Sequence, residues 1–163
     1  MIFVQDMRTR TVHWLLFPFT GLLLLLLRWQ AAGLWSQVWP PVFINICFVT
    51  LQLTLLSLYF SARNKRWINI TQSMLGLGDI LFLFVLTFYL SVFNFIAFYL
   101  VSLPVVLLLW LFVRKLSRTN AAQIPLAGFQ SLLFIVFLAS DWWVFHLKVT
   151  DDQWLIQILN RWL

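Results

Sequence analysis

From Ile80 to Val113 the chain is almost uninterruptedly apolar, too long for one comfortable crossing of a lipid bilayer and short for two crossings of ~20 residues each. Further apolar runs, Val12 to Leu27, Val42 to Phe60 and Ile124 to about Leu147, flank it, and short stretches carrying basic residues separate them. A sequence that is 63% hydrophobic and only 10% charged cannot be hidden in the single core of a soluble 163-residue domain. Backbone polar groups in lipid must be satisfied within the segment, so the runs are predicted to be helices and the fold an all-α, polytopic membrane bundle. One domain, residues 1–163, accounts for the chain.

Orientation decides how often the long run crosses. If Ile80 to Val113 were one span, the basic cluster Arg114, Lys115 and Arg118 would face away from Arg63, Lys65 and Arg66, against the positive-inside tendency. Two spans turning near Asn94 bring the clusters together with Arg8 and Arg10, while Arg28, Lys148 and Arg161 lie opposite. The reading is five transmembrane helices, a cytoplasmic N-terminus and an external C-terminus. The first member of the pair, Ile80 to Phe93, is then short, so its start is expected to be recessed beside a wet cavity, because irregular backbone at that depth must line protein or water. Pro18 is expected to bend the first helix, Arg28-Trp29 to end it as an interfacial pair, and the Gly33 to Pro41 region to form a loop. Ile124-Pro125 suits a helix start.

The tail reads as a separate element. Thr150 as N-cap with Gln153 three residues later is a capping box, helped by Asp151 and Asp152. Trp154, Leu155, Ile158, Leu159 and Trp162 recur on one helical face, predicting a C-terminal amphipathic helix lying in the outer interface. The first residues lack the charged start and small-residue cleavage site of a secretory signal, so the chain is expected to be inserted unprocessed. A net charge of +6 is placed by its loop location as an orientation signal, and no basic groove for nucleic acid stands out. Cys47, inside an apolar run, reads as a small core or lipid-facing residue, and neither it nor His13 or His146 has metal-ligand company.

The chain contains no glutamate and five acidic residues in all, which makes each aspartate informative. Asp151 and Asp152 are explained by capping. Asp141, about 17 residues into the last run and so ~25 Å from its start, is either an outer-side polar site with His146 or a side chain bonded to neighbouring helices. Asp6 and Asp79 are separated by two spans, and an even number of crossings brings both to the cytoplasmic side. Two close carboxylates cannot both ionise cheaply, so one holds a proton while the other activates water, the chemistry of aspartyl proteases. Gly76 and Gly78, without Cβ, permit close approach of a substrate strand or a facing helix. The competing reading is that Asp79 is an ordinary helix cap and Asp6, near Arg8 and Arg10, a solvated interfacial charge.

Three stretches carry a family resemblance. Gln5-Asp6-Met7-Arg8-Thr9-Arg10 followed by a helix start, Gly76-Leu77-Gly78-Asp79, and Ile124-Pro125-Leu126-Ala127-Gly128-Phe129 together resemble the prepilin peptidases, membrane aspartyl proteases with a Gly-x-Gly-Asp motif, in their short form lacking a methyltransferase half. The resemblance implies removal of the leader from a type IV prepilin-like or pseudopilin substrate, with a basic leader and an apolar helix, at the cytoplasmic face of the bacterial inner membrane. It implies Asp6 and Asp79 as the catalytic pair and no metal or organic cofactor. The alternatives are a non-catalytic relative serving as a membrane subunit or scaffold of a pilus or secretion machine and, more distantly, a small transporter.

Overall fold

The computed structural model describes residues 2, 13–65, 76–117, 126–145 and 149–162, and among them every regular element is helical. We number the helices α1 (Leu16–Ala32), α2 (Trp35–Asn64), α3 (Leu77–Thr87), α4 (Val92–Ser117), α5 (Leu126–Ser140, continued by a π-helical turn Asp141–Phe145) and α6 (Gln153–Trp162). Three of them, α2, α4 and α5 with the start of its π turn, are long and apolar enough to cross a membrane, whereas α1 and α3 are shorter apolar helices.

Helix α1 starts four residues later than the apolar run and ends five later. Pro18 therefore sits in its first turn, where a missing N–H breaks no helical bond, and the expected bend has no cause. Gly33 ends α1 at φ 71°, its N–H bonded to Trp29 O at 2.9 Å, a left-handed cap that glycine adopts without strain. Only Gly33 and Leu34 separate α1 from α2. The expected loop up to Pro41 is thus helical: Pro40 and Pro41 lie in the second turn of α2, and the carbonyls that lose their donors belong to Ser36 and Gln37, which are exposed.

Helix α3 is the hub. It packs against α1, α2 and α5, while α4 packs against α2 and α5. Phe82, Leu83, Val85, Leu86 and Thr87 of α3 are all buried. Phe134 of α5 meets the rings of Phe82, Tyr89 and Phe98 edge-on with centroids 5.8–6.4 Å apart, a geometry the ring quadrupoles favour. The outside of the bundle is as apolar as the inside, with Leu22, Phe43, Leu51, Leu100, Leu108 and Ile135 all exposed.

With 11 residues, α3 is about 16 Å long, roughly half the hydrocarbon thickness of a bilayer. The chain turns at Phe88–Ser91 rather than near Asn94, which is already inside α4. The reason is chemical: Ser91 and Asn94 are the polar groups that can close this turn, and both are used for that.

Candidate functional site

Asp79 is the third residue of α3, with Gly76 as N-cap. Its Oδ2 accepts the Gly76 N–H at 3.3 Å, and its Oδ1 accepts the Ala127 N–H at 2.6 Å. Glycine has no side chain to return the bond, so only one half of a capping box exists here. Ala127 is the second residue of α5, an amide that has no acceptor within its own helix. One carboxylate thus caps two helices at once, where both positive dipole ends converge. Gly78 stands where a Cβ would lie 3.7 Å from the Phe17 ring, so the first turn of α1 packs on the Asp79 motif. A Cβ at Gly76 would lie 3.2 Å from Asp79 Oδ2, so the first glycine of the motif leaves the carboxylate room.

Asp6, the expected partner, lies outside the described residues, as do Arg66, Arg118 and Pro125. On its two sides, Ile2 and Phe17 both join the central apolar cluster with Phe82, Leu83 and Leu86. Gly76 and Leu77 are exposed. A cavity of about 580 Å³ at the start of α1 is lined, among the described residues, by His13, Leu15, Leu16, Pro18 and Phe19, and none of Gly76 to Asp79 takes part. At the other end of α3 the chain is sunk into the bundle.

That other end is a buried polar knot which the sequence reading missed. Arg28, expected at the interface, is 2% exposed because α1 continues past it for another turn. Its Nη1 donates to Tyr89 O at 3.0 Å and Leu90 O at 2.8 Å, the carbonyls just beyond the negative end of α3. Asn45 Nδ2 donates to the same Leu90 O at 3.0 Å. Asn45 is the eleventh residue of α2, about 15 Å from its start, so the Phe88–Ser91 turn is sunk into the bundle. An arginine directly after a leucine run and an asparagine within an apolar run were the available signals, since such groups inside membrane-length helices are costly unless they are used.

The chain after the π turn roofs this knot. Val149 O accepts from Ser91 N, Ser91 Oγ and Asn94 Nδ2, each at 3.2 Å, and Asn94 Nδ2 also reaches Asp151 O at 3.0 Å. Asp152 Oδ1 accepts the N–H groups of Phe93 and Asn94 at 3.1 and 3.4 Å. Asp152 therefore caps α4, and its negative charge attracts Arg28. The Thr150–Gln153 capping box does not form, because α6 begins only at Gln153, whose N–H bonds to Asp151 Oδ1 at 3.3 Å. Of the expected apolar stripe of α6, the side chains of Leu155, Ile158, Leu159 and Trp162 lie outside the described residues, and Trp154 is half-buried.

Asp141 opens the π turn and is buried, and among the described residues its Oδ1 has no hydrogen-bond partner; His146 lies outside the described residues. Gln130, fully buried in α5, bonds Ser102 of α4 through Nε2 at 3.3 Å, while its Oε1 has no partner among the described residues. Cys47 faces outward. Comparison of the chain with protein-family models, curated proteins and solved structures returned no match.

Proposed function

We propose that this chain is an aspartyl endopeptidase of the prepilin-peptidase type, embedded in the bacterial inner membrane, with Asp6 and Asp79 as its catalytic pair. In this reading α1 to α5 make five passes, the third completed by the sunken Phe88–Ser91 turn, and α6 lies in the outer interface. The N-terminus and the loops at Arg66 and Arg118 are cytoplasmic. The observation that supports the reading is the seat of Asp79: an acid at a helix start whose first residues are exposed, next to Gly78, which faces Phe17 in the first turn of α1, the helix that follows Asp6 in the chain.

The chemistry follows from two carboxylates sharing one proton. One takes a proton from water, which attacks the scissile carbonyl. The other donates its proton toward the departing amine, which the tetrahedral intermediate expels. No metal or organic cofactor enters. The substrate is a prepilin or pseudopilin whose apolar helix remains in the bilayer while its basic leader is released on the cytoplasmic side.

A second reading draws on the two backbone amides at Asp79. A carboxylate that pins α3 to α5 is also what a non-catalytic membrane subunit of a pilus or secretion machine would keep. Leader removal from a co-expressed prepilin in membranes separates the two. Asp6→Asn and Asp79→Asn should each abolish cleavage at unchanged protein level, and Asp141→Asn should leave it intact. Full cleavage by either of the first two variants would overturn the pair, and loss of a larger complex without any cleavage by the wild type would replace the enzyme with the scaffold.

A further inference from the structure

We propose that the backbone amide of Ala127 is a positioning donor for Asp79, so that the first turn of α5 sets the orientation in which this carboxylate works. The inference rests on the endopeptidase reading for its catalytic consequence, and on the contact itself for the rest.

The two amides at Asp79 differ in what they can fix. Gly76 belongs to the same turn and lies 3.3 Å from Oδ2, so its bond travels with the exposed start of α3. Ala127 comes from another helix, its N lies 2.6 Å from Oδ1, at the short edge of N–H···O bonds, and it is itself 1% exposed. Ala127, Gly128, Phe129, Gln130 and Ser131 form a continuous buried run, which ties the start of α5 to the core. An amide followed by four buried residues in sequence is a firmer hold on a carboxylate than an amide on an exposed glycine. The donor is also one that α5 cannot satisfy internally, so the start of α5 and Asp79 each complete the other. Only the main chain of residue 127 takes part, which is why no side chain in the sequence advertises the role.

The test removes one N–H. In the full chain in membranes, Ala127→Pro deletes the amide hydrogen at a first-turn position where proline is tolerated, and Ala127→Gly retains it as the conservative variant. Loss of a hydrogen bond to a charged group predicts a kcat about ten- to a hundredfold lower for Ala127→Pro, with KM changed less than about twofold, because uniform substrate binding is untouched. Ala127→Gly should stay close to wild type. Equal kcat for the two variants overturns the proposal, as does a rise in KM that accounts for the whole defect.

A second measurement does not need activity. In detergent micelles the Ala127 amide proton should resonate far downfield in the wild type and move upfield in Asp79→Asn, but not in Asp141→Asn. An unmoved resonance overturns the proposal even if Ala127→Pro fails to fold. A wild type that cleaves nothing sinks the endopeptidase reading separately, and the resonance then decides whether Ala127 orients Asp79.

Discussion

The Phe88–Ser91 turn makes a quantitative prediction through Leu90 O, which two side chains serve. Asn45→Leu removes one donor, but Arg28 still reaches Leu90 O at 2.8 Å, and the Asn45 Oδ1 that disappears has no partner among the described residues. That single change should stay within about 1 kcal/mol of wild type. Arg28→Met removes the other donor and leaves Tyr89 O bare, which costs about 1–3 kcal/mol, set against relief from burying a guanidinium. The two terms of opposite sign make the single variant a poor test. The double variant is a good one, because relief of the buried charge is present with and without Asn45 and cancels in the cycle. What remains is the orphaning of Leu90 O, a buried carbonyl left with no side-chain donor. The coupling should therefore be about 1–3 kcal/mol, with the double variant worse than the sum of the singles. Reversible unfolding in mixed detergent and SDS micelles, followed by circular dichroism, measures it. Additivity within about 0.5 kcal/mol would refute the shared-acceptor geometry and with it the claim that Arg28 and Asn45 hold one turn.

Other outcomes follow from the same structure. Gln130→Met deletes a buried carbonyl with no partner among the described residues, together with one long bond to Ser102, so stability should change by less than about 1 kcal/mol or rise; a loss above about 2 kcal/mol in the same unfolding assay would mean that Gln130 has a further partner. Single cysteines introduced at Arg66 and Arg118 should react with an impermeant reagent only from the cytoplasmic side, and those at Gly33 and Trp162 only from outside. Labelling of Arg66 and Arg118 from opposite faces would remove the proposed five-pass topology, in which Asp6 and Asp79 share the cytoplasmic side.

By itself the sequence determined the helical class and the approximate segments. Runs such as Val42 to Phe60 leave the backbone no partner in lipid except itself, so periodicity and length suffice to place a helix. It also singled out Asp79 and its two glycines as candidates, since a chain with five acids and no glutamate offers few; in the structure a Cβ at Gly76 would crowd the carboxylate, whereas one at Gly78 would meet Phe17 at ordinary contact distance. Three things were decided only by tertiary structure. Arg28 looked interfacial because its depth depends on where α1 ends and on which carbonyls α3 exposes, and neither is a local property. Asp152 looked like a cap for the helix that follows it, yet it caps α4, because the segment Val149–Asp152 folds back over the turn between α3 and α4. The partner of Asp79 at Ala127 was invisible for a more basic reason: the group is a main-chain amide, the same in every residue but proline, and only packing of one helix start against another gives it an address.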